Sequence, residues 1–259
     1  MRFVCAAGCQ FGAKYVRGIS GAADHGCPEK DGEYMGQILT KYGLLLVQAM
    51  GQTLLLALLG LFFGCILGLI FGLMSVVRNK VCNGISLVYV NLIRGVPMIV
   101  LAFFVYLGVP YALNQFFHAG VTLSALSAGT ICLAANCGAY MAEIIRAGIQ
   151  SVDPGQMEAA RSLGLTYWRS MFRVVLPQAI KNMIPSIVNQ FIITLKDTSI
   201  LSVIGFPELV NKAQNVIAIT FKSFQVWAIV GVMYLIVILI LQQVAKILER
   251  RLKRGQRAK

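Results

Sequence analysis

Four consecutive polar residues, Lys196, Asp197, Thr198 and Ser199, interrupt an otherwise apolar segment, and together they could bind a zwitterion. A charge in the middle of a bilayer costs roughly 2.5–3.5 kcal/mol on insertion scales, so it is normally paired or faces a water-filled cavity. Neighbouring residues of a helix point about 100° apart, so Lys196 and Asp197 cannot neutralise each other. A zwitterion offers an ammonium for Asp197 and a carboxylate for Lys196, and the two hydroxyls add hydrogen bonds. The alternative is pairing with other helices for structural reasons alone.

Two polar residues of another apolar segment, Asn136 and Tyr140, lie one helical turn apart and are predicted to face the same cavity. Arg94 lies about nine residues into a further apolar segment and is followed by Pro97, which bends helices. Its side chain either faces the same pathway or extends to lipid phosphate.

Glu143 is the last candidate for the pathway. It lies three residues before Arg146, which equally fits an i,i+3 ion pair on one helix. The complete set of candidate pathway residues is Asp197, Lys196, Thr198, Ser199, Asn136, Tyr140, Glu143 and Arg94.

A polar, basic stretch at residues 151–177 lies between long apolar runs. Asp153-Pro154 is a typical helix start, and Gly164 permits a sharp turn between two short helices. The residues that recur at helical spacing are Met157, Ala160, Gly164, Trp168, Met171, Phe172 and Val175. This amphipathic pattern fits either a docking surface for a protein or a helix resting on anionic headgroups.

The composition places most of the chain in a membrane. Hydrophobic residues make up 58% and charged residues 13%, against roughly 45–50% and 25% in soluble domains. A spanning helix needs roughly 20 mostly apolar residues. The sequence therefore predicts an all-α integral membrane protein with five spans: Leu44–Val76, Ile85–Leu113, Leu123–Glu143, Ile184–Gly205 and Phe224–Ile247.

The net charge of +13 does not indicate nucleic-acid binding, because the positive residues follow the sides of a membrane. They concentrate in the segments after the first and third spans and in the C-terminal tail, whereas the segment Tyr111–Val121 has none. Since cytoplasmic loops carry the excess of Lys and Arg, the sequence predicts an N-out, C-in topology. The positive residues of the N-terminal arm run against this assignment: Arg2, Lys14, Arg17, Lys30 and Lys41.

The predicted organisation has three parts. Residues 1–40 form an extracytoplasmic, disordered N-terminal arm, residues 41–252 form the transmembrane domain with the loop 151–177, and residues 253–259 form a basic cytoplasmic tail. Cys5, Cys9 and Cys27 in the arm lack the spacing and the histidine partners of a metal site.

Enzymatic classes are poorly supported. Both histidines, His25 and His118, fall in predicted loops, without a His-Glu-x-x-His or Gly-x-Ser-x-Gly pattern. The sequence also lacks a Gly-x-x-x-x-Gly-Lys-Ser/Thr loop for ATP. A proton-coupled secondary amino acid carrier remains the alternative, because such carriers also use charges at membrane depth, although no internal repeat of the kind common in carriers is evident.

Five segments carry a resemblance to a known family. They are Glu158-Ala159-Ala160-Arg161 with Gly164 and Leu176-Pro177, Asn91–Pro97, Asn136–Glu143, Asn189–Ser199, and Pro207-Glu208-Leu209. The first resembles the coupling loop of ABC importer permeases. The combination is similar to permeases of the histidine/glutamine/arginine type over roughly residues 44–251, with Val96 and Cys137 as small departures.

This resemblance implies a type I ABC importer permease (MetI-like) fold in the bacterial inner membrane. It implies a pathway for polar amino acids and a dimer of permeases, with either identical or different chains. It also implies an extracytoplasmic binding protein and a dimer of ATPase subunits that use ATP and Mg²⁺, while this chain itself binds no cofactor. The ATPase would dock on Glu158, Ala159, Ala160, Arg161, Gly164, Leu176 and Pro177.

Overall fold

The computed structural model describes residues 28–77, 79–118 and 120–257, and this part of the chain forms eight helices and no strands. The helices are α1 (Pro28–Val76), α2 (Lys80–Gly95), α3 (Met98–Phe117), α4 (Ala125–Gln150), α5 (Pro154–Ser162), α6 (Tyr167–Ile204), α7 (Leu209–Thr220) and α8 (Ser223–Arg257). Both α3 and α6 contain a π-helical turn, at Phe104–Gly108 and Met171–Val175, and α6 ends as a 3-10 helix over Thr198–Ile204.

Five of these helices are long and apolar enough to cross a membrane, which confirms the predicted all-α, five-span architecture. They are α1 over Tyr34–Val76, the whole of α3, α4 and α6, and α8 over Ser223–Ile247. The fourth span begins 17 residues earlier than predicted, because α6 runs without interruption from Tyr167.

The predicted second span, Ile85–Leu113, is divided between two helices. Helix α2 ends at Gly95, and α3 begins at Met98 after Pro97. Val96 is extended, with φ −98° and ψ 132°, because the ring of a following proline disfavours helical backbone at the residue before it. The sequence identified Pro97 as a bend, and the structure shows a complete break.

A seam of four glycines joins α1 to α4. Gly60, Gly64, Gly68 and Gly72 face Leu133, Cys137, Met141 and Ile145, so the two helices run parallel with one contact every turn. A Cβ atom at Gly64 would lie 2.7 Å from Cβ of Cys137, which is closer than two carbon atoms can pack. Small residues at such spacing let membrane helices approach closely, and here they hold the first and third spans together.

The described part of the predicted N-terminal arm is helical rather than disordered. Helix α1 begins at Pro28, and residues from Ile38 onward pack against α7 and α8. Ile38 is buried in a cluster with residues of both helices, and the Lys222 ammonium lies 3.9 Å from the centre of the Tyr34 ring. These contacts stabilise a helix that the composition of the arm did not predict.

Several predicted features lie outside the described residues. They include residues 1–27 with Cys5, Cys9 and Cys27, residue Arg78, and the last two residues of the basic tail. The backbone of that tail is helical as far as Arg257. The transmembrane domain boundaries at 41 and 252 stay a prediction.

Glu208 caps α7 and ties three elements together, although it is fully buried. Its carboxylate accepts hydrogen bonds from the backbone N–H groups of Val210 and Asn211 at 2.9 and 2.7 Å, and from the Tyr234 hydroxyl of α8 at 3.3 Å. The next N–H, of Leu209, donates to the Thr53 hydroxyl of α1 at 3.0 Å. Burial raises the pKa of Glu208 to about 7.

The glycine seam generates a first prediction. Gly64→Ala should lower the thermal unfolding midpoint of the purified protein in detergent, because overpacking a tight contact costs about 1–3 kcal/mol. Gly84→Ala is the matched control, since a Cβ atom there meets nothing within 4 Å and alanine favours the helix by about 1 kcal/mol. Equal midpoints for the two variants would contradict close packing at the seam.

Glu208 generates a second prediction. Its folded pKa is raised above the ordinary value, so the stability that protonation contributes is fully present at low pH and is lost as the pH rises through about 7. The unfolding midpoint should therefore fall as the pH rises from about 4.5 to about 7, and it should level off above pH 7. Glu208→Gln should flatten this slope, and Gln at the exposed Glu158 should leave it unchanged. An equal slope in Glu208→Gln would show that another group titrates.

Candidate functional site

A cavity of about 400 Å³, named here the Asp197 cavity, lies where two helices lose their regular geometry. One wall is the break between α2 and α3, and another is the junction at which the α-helical part of α6 becomes a 3-10 helix. Its lining residues are Arg94, Gly95, Val96, Pro97, Met98, Asn136, Tyr140, Ile193 and Asp197. Four of the eight predicted pathway residues, Arg94, Asn136, Tyr140 and Asp197, are therefore brought together.

The Asp197 carboxylate has a neutral hydrogen-bond partner. Oδ2 accepts from Nδ2 of Asn136 at 3.2 Å, and the same amide nitrogen lies 3.8 Å from the sulfur of Met98. The two ion pairs found among the described residues both involve Glu143 and not Asp197. Asp197 therefore presents its carboxyl group to the cavity without a cation within 4 Å in the described chain.

The other polar residues beside Asp197 point elsewhere. Lys196 is exposed and is not among the residues that line the cavity. The hydroxyls of Thr198 and Ser199 donate to the backbone carbonyls of Leu195 and Lys196, both at 2.7 Å. The predicted contact of Lys196 with a ligand carboxylate therefore has no counterpart in this cavity, because one residue of helix turns its side chain to a different side.

Charged groups continue from the cavity toward the end of α4. The Arg94 guanidinium lies 4.9 Å from the centre of the Tyr140 ring and 3.8 Å from the Glu143 carboxylate. Arg146 pairs more closely with the same carboxylate and also donates to Gln150 at 3.1 Å. Glu143 thus has both the i,i+3 partner that the sequence suggested and a second arginine from α2.

A larger cavity of about 700 Å³, named here the Glu143 cavity, lies next to the first. The polar residues on its walls include Ser151, Asn182, Asn189 and Gln190, which are contributed by the end of α4 and by α6. Asn182 donates to the Ser151 hydroxyl at 3.0 Å. Sequence reasoning did not assign these residues to a cavity, because isolated amides in an apolar helix carry no signal of direction. The sequence marks Asn189-Gln190 only as part of the segment Asn189–Ser199 that carries the family resemblance.

The predicted turn between two helices in the 151–177 loop is present, but only the first helix, α5, is short, because the second is the start of the long helix α6. The Asp153 side chain accepts from the backbone N–H of Gly155 at 2.9 Å and caps α5. Gly164 has φ +83°, and the N–H of Leu165 donates to the carbonyl of Ala160 at 3.2 Å, as in a helix that ends at a left-handed glycine. Gly164 therefore makes the turn from α5 into α6.

The loop has a packed side and an exposed side. Val152, Val175 and Ala179 are buried with residues of α4 and α6, and Ala160 is 4% exposed. The exposed residues include Glu158, Ala159, Arg161, Leu163, Trp168, Arg169 and Phe172. Leu176 and Pro177 do not end the loop, because they lie inside the continuous helix α6 directly after its π turn.

Two aromatic residues of the helically spaced set lie on the exposed side of this helix. The sequence groups Trp168 and Phe172 at helical spacing with Met171 and Val175. Trp168 and Phe172 are each 61% exposed, and their rings stack at 6.1 Å. The buried stripe contains Ser170, which is fully buried, and a small polar residue gives no signal for an inward-facing position.

Comparison with known proteins identifies relatives over most of the chain. The model of the family described as binding-protein-dependent transport system inner membrane component matches residues 60–254. Glutamine transport system permease protein GlnP of Escherichia coli (strain K12) is 37% identical over 209 residues, 81% of this chain and 93% of that protein. The probable glutamine ABC transporter permease protein GlnM of Bacillus subtilis (strain 168) is 38% identical over 204 residues, 79% of this chain and 91% of that protein.

Solved structures show the same fold. A chain of an amino acid ABC transporter crystallised with histidines superimposes with a TM-score of 0.76 at 40% identity, covering 82% of this chain and 96% of that one. A chain of the methionine ABC transporter MetNI in an inward-facing conformation gives 0.68 at 19% identity, over 82% and 97%. The second likeness concerns the fold alone, and it agrees with the predicted type I importer architecture.

Proposed function

The chain belongs to the family of binding-protein-dependent transport system inner membrane components, and we propose that its Asp197 cavity passes a polar amino acid of the glutamine class. The chain is a permease subunit of an ABC amino acid importer in the bacterial inner membrane. It is not the enzyme of that system, because the ATPase is a separate subunit. A substrate-binding protein is the other partner of such a permease.

The unpaired carboxylate of Asp197 is the observation that carries this proposal. A carboxylate with one amide partner, at 3.2 Å, in a cavity lined by polar and aromatic groups suits an ammonium group. A charged group inside a membrane protein typically marks a substrate pathway. Relatives named as glutamine permeases support a substrate with a polar, uncharged side chain.

The exposed side of the 151–177 loop is the proposed docking site for the ATPase, which would bind ATP with Mg²⁺. Arginine and aromatic side chains are enriched in protein interfaces, and this surface combines Arg161 and Arg169 with the stacked Trp168 and Phe172. The same residue types suit a lipid interface, so the coupling experiment below decides between the two.

A second permease chain, identical or different, is proposed to cover the side of α6 that carries Lys196. This cation is exposed on the single chain, and a charge on a spanning helix is normally covered by protein or faces a water-filled cavity. An N-out, C-in orientation belongs to the same proposal, because it puts the 151–177 loop on the cytoplasmic side. The comparisons give no support to the alternative of a proton-coupled carrier.

Transport in proteoliposomes tests the function and the role of Asp197. With its ATPase, its binding protein and ATP, the complex should take up glutamine or another polar amino acid. Asp197→Asn should lower that uptake at least about tenfold, because a hydrogen bond to a charged group contributes about 1.5–3 kcal/mol. The nearby change Ser199→Ala should retain most of the uptake, since Ser199 lies outside the cavity and its hydroxyl donates to the backbone carbonyl of Lys196.

Three outcomes would contradict this proposal. Uptake by the chain without its ATPase, collapsing with the proton gradient, would indicate a secondary carrier. Wild-type uptake in Asp197→Asn would remove Asp197 from the pathway. Loss of ATPase binding in that variant would indicate a structural role.

A substitution at the Gly164 turn tests docking. Gly164→Val should permit membrane insertion but reduce the amino acid imported per ATP hydrolysed by about tenfold, because a strained backbone costs of order 1–3 kcal/mol. Gly164→Asn is the control, since asparagine adopts positive φ more readily. Normal coupling in Gly164→Val, with the ATPase still bound, would assign this turn to the lipid surface.

A further inference from the structure

We propose that Arg94 is a gating residue between the Asp197 cavity and the Glu143 cavity, and that the carboxylate of a passing amino acid releases it. This inference rests on the proposed function, because it assumes an amino acid in the Asp197 cavity. It assigns to Arg94 a step in transport that goes beyond lining the pathway.

Arg94 lies between the two cavities. Arg94 and Tyr140 are the residues that the described walls of both cavities share. The guanidinium lies 4.9 Å from the Tyr140 ring centre, so the two side chains together form the partition. A substrate that moves from one cavity into the other must separate the guanidinium from the ring.

The ion pair between Arg94 and Glu143 is easily exchanged. Its nitrogen lies 3.8 Å from the Glu143 carboxylate, and the two side chains are 39% and 33% exposed. That distance is longer than a hydrogen bond, and solvent screens pairs of this kind. Arg146 holds the same carboxylate more closely. Glu143 therefore keeps a cation when Arg94 leaves, and no buried charge is left unpaired.

An amino acid in the Asp197 cavity offers the anion that replaces Glu143. Its ammonium suits Asp197, and its carboxylate suits the planar fork of Arg94, which binds carboxylates through two parallel hydrogen bonds. Both side chains line the same cavity of about 400 Å³. Substrate binding and opening of the partition thus occur together, because the substrate carboxylate replaces the Glu143 carboxylate at the Arg94 guanidinium.

The Glu143 cavity is suited to receive the polar group. Ser151, Asn182 and Asn189 line this cavity, and hydroxyl and amide groups both donate and accept hydrogen bonds. The gate therefore opens toward a space whose walls carry hydrogen-bonding groups.

The test compares variants of the complete importer in proteoliposomes with saturating loaded binding protein and ATP, so that delivery is constant. Arg94→Gln should lower uptake per ATP hydrolysed by about tenfold, because the bond to the carboxylate is lost, and Arg94→Lys should retain part of it. Arg146→Gln should slow maximal uptake severalfold, because Glu143 then has Arg94 as its remaining cation and holds it. Adding Glu143→Gln to Arg146→Gln should restore the rate.

Restoration of the uptake rate by Glu143→Gln in the Arg146→Gln background distinguishes a gating role of Arg94 from a structural one. A double variant no faster than Arg146→Gln, or normal coupling in Arg94→Gln, would overturn the gating role. Both outcomes leave the proposed function intact, provided that the wild-type importer takes up the amino acid. Failure of the wild-type importer to take up any polar amino acid would instead remove the proposed function itself.

Discussion

The close approach of α1 and α4 is the constraint on which the rest of the structure depends. Four glycines, each one turn from the next, bring the backbone of the first span against the side chains of the third. In lipid there is no hydrophobic gain from association, so packing of this kind must hold the helices together. The seam fixes α4, and α4 carries Asn136, Tyr140 and Glu143 on its other sides. The positions of both cavities follow from it.

Polar chemistry is confined to places where the other helices are irregular. The break at Val96-Pro97 and the change of α6 to a 3-10 helix after Asp197 form two walls of one cavity. In a membrane, backbone groups outside regular helix are tolerated where protein or water satisfies them. Helix breaks within the membrane therefore need polar surroundings, and the polar cavity lies where the helices break. Asp197 and Arg94 lie beside these breaks for the same physical reason.

The five spans and the turn at Gly164 could be predicted, because membrane thickness and the left-handed backbone leave few choices. The predicted grouping of Asp197, Asn136 and Tyr140 also has a counterpart in the Asp197 cavity. The directions of Trp168 and Phe172 could not be predicted, because the buried stripe that decides them contains Ser170 and does not follow the hydrophobic pattern. The sequence also does not show that Asp197, and not the adjacent Lys196, faces the cavity. The beginning of α1 could not be predicted from the sequence either, because it depends on contacts with α7 and α8.

Helix α6 connects the exposed side of the 151–177 loop, the proposed docking site, to the Asp197 cavity. It begins beside the turn at Gly164, carries Trp168 and Phe172 at that end, and reaches Asp197 without a break. At about 1.5 Å per residue, the 31 residues from Tyr167 to Asp197 span about 45 Å. The π turn at Met171–Val175 and Pro185 inside the helix, which lacks a backbone N–H, are two places along this length where the helix can bend. If the proposed docking moves the loop, the displacement would reach Asp197 along this one helix, while the glycine seam would keep α1 and α4 in place. The cavity walls would then move relative to each other: Asp197 with α6, and Asn136 and Tyr140 with α4.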